Sequence, residues 1–306
     1  MISIITRTFN RAQTLPRAIN SILDQDYNDI ELIIVNDGST DNTNEVIKQY
    51  NDRRIRVVNH SENKGMAAAF HTGLDNIRGE WFTLLDSDDE MVPGALTTML
   101  KVLIDVNPDI NAITCNCIDS STEKFSGKGL EGDQYLDAKT IIQNCRGEFW
   151  GLTKTSLLPE RNNEQYLASV WNKINKIANR YYIHKGLRIY HTVSNDRYSN
   201  GSSHMSGRAF QRRYNTFLSI LDDKELLSDY KKWGKDLYRN LHYSMAVFFI
   251  QFGDRKLARY CIKEVAIMPE SIFKSTILVL GYIFGKKTFD NLKTMKRKLF
   301  PKLILK

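Results

Sequence analysis

Three carboxylates fall within four residues where an apolar run ends. Trp81-Phe82-Thr83-Leu84-Leu85 leads straight into Asp86-Ser87-Asp88-Asp89. Carboxylates this close together at a strand terminus suit a hard divalent cation that also takes phosphate oxygens. The same residues also fit a polar loop that caps the helix opening at Pro93-Gly94. Two more polar clusters close apolar runs: Thr6–Arg11 after Ile2–Ile5, and Asn36–Asp41 after Ile30–Val35. Farther on, polar groups gather from Tyr190-His191-Thr192 through Asp196-Arg197. There His191 reads as a metal or diphosphate ligand or as a merely hydrogen-bonded imidazole, and Arg197 as a phosphate clamp.

The elements that carry these clusters alternate. Strands are expected at 2–6, 30–35, 55–58, 81–85 and 112–118. Helices are expected after Thr14, which with Pro16 reads as a helix start, around Val46, Ile47 and Tyr50, and over 65–77 and 94–106. Alternation of this kind predicts an α/β fold with a mostly parallel sheet covered on both faces. Ligands in such sheets bind at the carboxyl ends of the strands, where the three clusters stand. Residues 119–150 read as loops and short strands lining one side of the site. A helix from near Glu164 to Asn179 and short strands at 181–183 and 187–190 follow. Helices at 210–221, 230–253 and 254–268 then form a C-terminal module. The composition shift places the boundary between domains 1–205 and 206–306.

The 306 residues carry 43 Lys plus Arg against 35 Asp plus Glu, a net charge of +8. Residues 1–100 are net −6, whereas 101–285 and the short tail 286–306 are each net +7. This distribution argues against a protein that coats nucleic acid along its surface. None of the four cysteines (115, 117, 145 and 261) forms a C-x-x-C pair or has His at zinc spacing. They read as buried free thiols of a reducing compartment. Met1 runs at once into Ile2-Ser3-Ile4-Ile5, so no cleaved signal peptide is expected. The longest apolar run, Thr276–Gly285, is about half of the ~20 residues a spanning helix needs. In the tail, Phe289, Leu292, Met295, Leu299 and Leu303 alternate with Lys293, Lys296, Arg297 and Lys298. That pattern predicts an interfacial helix on an anionic membrane surface, against the alternative of a helix packed on the protein's own module. The expected location is cytoplasmic, peripheral at the membrane.

Taken together, Thr8-Phe9-Asn10-Arg11, Val35-Asn36-Asp37-Gly38-Ser39-Thr40-Asp41, Asn63-Lys64-Gly65 and Leu85-Asp86-Ser87-Asp88-Asp89 stand in an informative order. Over residues 1–205 this spacing resembles the nucleotide-sugar domain of family 2 glycosyltransferases, which have the GT-A fold. The resemblance implies a nucleotide-diphosphate sugar donor, with uracil as the default base. It matches Asp37 to the carboxylate that contacts the base, with Thr8 and Arg7 beside it. Asp88 matches the ligand of a Mn²⁺ or Mg²⁺ ion bridging the phosphates, Asp86 the carboxylate near ribose and metal, and Asp89 is a third candidate. An acidic strand end facing a diphosphate is repulsive unless a cation stands between.

The resemblance also has gaps. Inverting transfer needs a general base for the attacking hydroxyl. Many relatives supply it from a Glu-Asp pair before an apolar helix, and this chain lacks the pair. The nearest equivalent is Glu164, in Arg161-Asn162-Asn163-Glu164, with Glu148 in reserve. An Arg-Asn pair found in many relatives is replaced by Phe70-His71, and Lys64, Arg188 and Arg197 are the candidates for its contact. The expected activity is metal-assisted, inverting sugar transfer to a hydroxyl of a lipid-linked or polysaccharide acceptor. One alternative is a nucleotidyltransferase, which needs a glycine-rich phosphate loop that Thr6–Arg11 does not provide. Another is a GT-A-fold binding protein without turnover at a membrane surface, for which the missing Glu-Asp pair speaks.

Overall fold

The computed structural model describes residues 1–160, 167–192, 207–266, 278–280 and 282–283. Glu164, Arg197, the expected boundary at 205/206 and the basic tail lie outside the described residues. Strands β1 (Ile2–Thr8), β2 (Ile30–Asn36), β3 (Ile55–Asn59) and β4 (Trp81–Leu84) pair in parallel in the order β3-β2-β1-β4. Helices α1 (Leu15–Leu23), α2 (Thr43–Lys48) and α3 (Met66–Asp75) connect them. Every residue of β2 is buried, as a strand covered on both faces must be. On one face Ile2, Ile4, Leu32 and Ile34 share a core with Ile19 and Ile22 of α1 and Leu96 and Met99 of α4 (Ala95–Asp105). On the other, Ile5, Ile33 and Val35 join Phe70 of α3 and Val170 and Ile174 of α6 (Leu167–Ile177). Thr14 does occupy the N-cap position of α1, but its backbone is already helical and its side chain makes no capping bond.

The rest of the sheet is mixed. Strand β8 (Phe149–Lys154) runs antiparallel between β4 and β6 (Ala112–Asp119). Beyond β6 lies β9 (Arg180–Tyr190), parallel to it, and β5 (Glu90–Met91) and β7 (Gln134–Leu136) pair antiparallel with β9. The segment expected as loops and short strands also holds a helix, α5 (Ala138–Asn144), capped by Asp137, whose side chain accepts from the Thr140 amide. The two short strands expected at 181–183 and 187–190 are one strand. A register shift opposite Cys115–Cys117 absorbs polar His184-Lys185-Gly186, which interrupts the apolar alternation without ending the pairing.

By internal contacts the chain divides into two compact units, Met1–Leu226 and Leu227–Lys306. The first includes α7 (Gly207–Asp222), and the division falls within α8 (Lys224–Trp233). In the second, α9 (Lys235–Phe252) packs on α10 (Arg255–Ala266), with Met245, Phe249, Cys261 and Val265 buried. Gly253, at φ 83°, closes α9 in the left-handed conformation that glycine tolerates. The single helix expected over 230–253 is broken at Gly234.

The reversed strand depends on one close approach. A Cβ at Gly151 of β8 would stand 1.8 Å from the Ile113 carbonyl oxygen of β6. Gly151→Ala is therefore expected to destabilise the protein by about 1–3 kcal/mol, read as a lower midpoint in denaturant unfolding.

Candidate active site

The carboxyl ends of β1, β2 and β4 meet at one edge of the sheet, and side chains tie their loops together. The Asn10 amide donates to Ser39 Oγ at 3.0 Å, and Asn10 Oδ1 accepts from the Thr40 amide at 2.8 Å. Asn10 adopts φ 54°, a left-handed conformation that Asn tolerates better than most residues. At the end of β2, the Asp37 carboxylate is buried. It accepts from the Lys64 and Gly65 amides, both at 2.8 Å, and its Oδ1 lies 2.7 Å from His60 Nδ1. Asp37 thus holds the Asn63-Lys64-Gly65 loop in place, and a carboxylate's remaining lone pair is left for a ligand donor. The Lys64 side chain is exposed. Thr8 is buried at the end of β1, and Phe9 beside it is 38% exposed, a flat apolar surface at the mouth of the site.

The aspartates after β4 are not left facing one another. Asp86 Oδ1 accepts from Arg7 Nη2 at 2.8 Å, and its Oδ2 from Arg188 Nη2 at 2.9 Å. Arg188 lies on β9, next to β5, and its Nε donates to Asp89 Oδ2 at 2.8 Å while its Nη2 contacts the same oxygen. The His191 amide donates to Asp89 Oδ1 at 2.9 Å, and His191 Nε2 lies 2.7 Å from Glu90 Oε1. Burial would raise the pKa of Asp86, but Arg7 and Arg188 more than offset it and hold it at about 2. For Asp89 burial prevails, pushing the carboxyl up to about 6 against the pull of Arg188 and the His191 amide. Asp88 is placed differently. Its carbonyl oxygen accepts from the Arg17 guanidinium of α1, while its carboxylate, half-buried, makes no hydrogen bond or ion pair among the described residues.

No group of three His, Cys, Asp or Glu side chains that could hold a metal occurs among the described residues. A cation here therefore needs phosphate oxygens to complete its shell, as Mg²⁺ and Mn²⁺ sites on nucleotides commonly do. Asp88 fits such a role. Asp86 has an arginine on each oxygen and His191 has Nε2 on Glu90, so both are more committed than the Asp88 carboxylate.

Beneath this edge lies a cavity of about 340 Å³ between the sheet and helices α5 and α6. Arg7, Asp86 and Arg188 line it together with Trp150, Trp171 and Arg180. Because β8 is reversed, its entry rather than its exit comes to the carboxyl edge: Phe149 pairs with Asn116 and Lys154 with Trp81. Glu148, one residue before β8 and half-buried, is thereby carried to the edge that bears the aspartates. Leu167, the first residue of α6, also lines the cavity, and Glu164 precedes it by three positions. The roles of Arg17, His60 and Arg180 are absent from the sequence reading. Each depends on a partner 20 or more residues away, which the residues adjacent in sequence do not mark.

The sequence profile described as "Glycosyl transferase family 2" matches residues 3–155. The chain belongs to that family. It is a glycosyltransferase of the GT-A fold that uses a nucleotide-sugar donor, which sets aside the nucleotidyltransferase and the non-enzymatic alternatives. It is 32% identical over 275 residues, 85% of each chain, to the GalNAc(5)-diNAcBac-PP-undecaprenol beta-1,3-glucosyltransferase of Campylobacter jejuni. Its fold is similar to that of S. aureus TarS 1–349 in complex with UDP-GlcNAc, with TM-score 0.62, 16% identity, and coverage of 97% of this chain and 90% of the other. It is also similar to a Pyrobaculum calidifontis mannosyltransferase in complex with GDP-Man and Mn²⁺, with TM-score 0.53, 17% identity, and coverage of 98% and 87%.

Two consequences of the arginine cluster are measurable. Arg188→Met leaves Asp89 buried without its cation and is expected to cost about 3–5 kcal/mol in denaturant unfolding. In a Lys substitute, which keeps the charge, a smaller loss is expected. The folded pKa of Asp86, about 2, lies below its reference value of 3.8. Its stabilising contribution is therefore present above about pH 4 and lost as the pH falls through about 2. In Arg188→Met the Asp86 carboxyl should titrate clearly above 2, read by carbon-13 NMR of labelled aspartate.

Proposed function

We propose that the protein transfers a sugar from a uridine diphosphate donor, with inversion, to a hydroxyl of a lipid-linked glycan at a membrane surface. The reading rests chiefly on Asp88, whose uncommitted carboxylate stands beside the arginine-held Asp86 at the strand ends. In this reading the base lies against Phe9 and donates to the open lone pair of Asp37, with Thr8 at the back. Arg7 and Asp86 flank the ribose, and the phosphate contacts are assigned to Lys64 and, from the sequence, Arg197. Asp88 would hold a divalent cation, with His191 as a candidate further ligand, and such an ion neutralises charge growing on a departing diphosphate.

The chain's own residues do the rest. The acceptor oxygen attacks the anomeric carbon from the face opposite the diphosphate, and the bond from that carbon to the phosphate oxygen breaks. The hydroxyl proton passes to a carboxylate, Glu164 at the approach to α6, with Glu148 at the entry to β8 as the reserve. Trp150 and Trp171, in the cavity wall, exclude water from the donor and offer flat surfaces to a sugar ring. The lipid-linked acceptor is supported by the name of the Campylobacter jejuni relative, whose substrate is undecaprenol-linked. Among the described residues no helix is long and apolar enough to cross a membrane. Contact with the cytoplasmic face of the membrane is assigned to the lysine-rich amphipathic tail.

Release of UDP from a panel of UDP-sugars, with an undecaprenyl-diphosphate glycan as acceptor and with Mn²⁺ or a chelator, tests the reading. Asp88→Ala should lose Mn²⁺-dependent donor affinity by at least about tenfold. Glu164→Gln should keep UDP binding and lose transfer by about 100-fold or more, the usual scale of general-base removal. Transfer by Glu164→Gln at the parent rate would move the base to Glu148. For the tail, replacing Lys293, Lys296, Arg297 and Lys298 with Gln should abolish co-sedimentation with phosphatidylglycerol vesicles. Undiminished sedimentation would remove the membrane assignment.

A further inference from the structure

The far end of the cavity holds a charge that the donor reading does not use. Arg180 opens β9, is only 7% exposed, and lines the same cavity as Arg7, Asp86 and Arg188. Its Nη1 donates to Thr114 Oγ1 at 2.8 Å, yet its Nε finds no acceptor among the described residues. Arg7 and Arg188 both have carboxylates, and Arg180 has none among the described residues. The Cys145 thiol interacts with it electrostatically, but burial pushes that thiol up to about 11, so it is neutral and supplies no counter-charge. Burial lowers the pKa of Arg180 only to about 10, so the guanidinium stays charged at neutral pH. A buried cation without an anion is costly, and interiors normally pair it.

The donor's own diphosphate is poorly placed to be that anion. Arg180 pairs with Ala112 and Arg188 with Cys117, five residues apart on β6, which separates the two arginine backbones by about 17 Å. Asp88 follows the exit of β4, whereas Arg180 stands at the entry of β9, toward the opposite edge of the sheet. Between the two arginines the cavity offers Trp150 and Trp171 together with polar Thr114, Thr153 and Asn175. Aromatic faces with a few hydroxyl and amide groups are what a pyranose ring meets in its sites. The volume of about 340 Å³ falls within the range of small-ligand pockets, about 300–1,000 Å³.

We propose that the cavity receives a sugar bearing a carboxylate, and that Arg180, braced by Thr114, makes the ion pair that selects it. With Nη1 on Thr114 and Nε closed off without an acceptor, the guanidinium presents an unpaired positive charge to the cavity, which a carboxylate oxygen complements. The assignment depends on the donor site lying at the mouth of the cavity, as read above. The acidic sugar is either the donor's or the acceptor's, and both present the same chemistry to Arg180.

Isothermal titration of the full chain with Mn²⁺ present distinguishes the sources. In the donor arm, UDP-glucuronate is compared with UDP-glucose. In the acceptor arm, with UDP bound, methyl β-glucuronide is compared with methyl β-glucoside and with the methyl ester of the glucuronide. In one arm the acid should bind at least about tenfold more tightly than its neutral counterpart, and Arg180→Met should reduce that ratio to near one. Equal binding of acid and neutral sugar in both arms overturns the proposal. The acid against its own methyl ester in the parent protein decides the matter even if Arg180→Met does not fold. Failure of UDP itself to bind would instead sink the donor-site reading. The glycosides, titrated alone, would then still decide whether the cavity selects a carboxylate.

Discussion

Arg188 is the contact on which the rest of the site depends. Asp89 is almost wholly buried and Asp86 is within reach of it, and two carboxylates so close are unfavourable without a cation between them. The cation comes from β9, and bringing it there requires β9 to lie beside both β6 and β5. The same strand position then supplies the His191 amide to the other oxygen of Asp89. Electrostatic need at one loop and hydrogen-bond register along one strand are thus satisfied together.

This arrangement changes what the acidic front of the chain asks of a metal. Residues 1–100 are net negative, and a diphosphate approaching them meets charge of its own sign. Arg7 and Arg188 already hold both oxygens of Asp86, and Arg17 fixes the backbone of Asp88 from below. Among the described residues, Asp88 is the one of the three loop aspartates whose carboxylate makes no hydrogen bond or ion pair. In the proposed reading such a site would have weak affinity for a free cation and gain it only when phosphate oxygens arrive, so that metal and donor would bind as one unit.

The front half of the fold was legible in the sequence for a physical reason. Parallel strands buried on both faces are short continuous apolar runs, and the loops that follow them must be polar and glycine-bearing, so β1 to β4 and their helices announce themselves locally. The reversal of β8 has no such mark, because an antiparallel strand and a parallel one of six residues share the same composition. β9 was read as two strands because a bulge breaks alternation without breaking pairing, and α8 and α9 as one helix because Gly234 interrupts an unbroken apolar period. In the site, the aspartates were found from their spacing. Their cations were not, since Arg188 lies about a hundred positions from the carboxylates it serves and its neighbours in sequence say nothing about them. Arg180 and Asp37's clasp on the Lys64 loop were hidden for the same reason.

The stretch by which the family is recognised, residues 3–155, ends well before Arg188. The whole of that stretch is therefore translated before the strand that completes the site has been synthesised. Contacts of such long sequence separation carry a larger loop-closure cost and tend to form late in folding. A nascent chain emerging through α5 would already have its parallel half-sheet and its acidic loop, with Arg7 on Asp86 but Asp89 still without its arginine. Docking of β9 is then the step at which a nucleotide-sugar fold becomes a usable site, and it makes the integrity of the site a report on whether the whole sheet has closed.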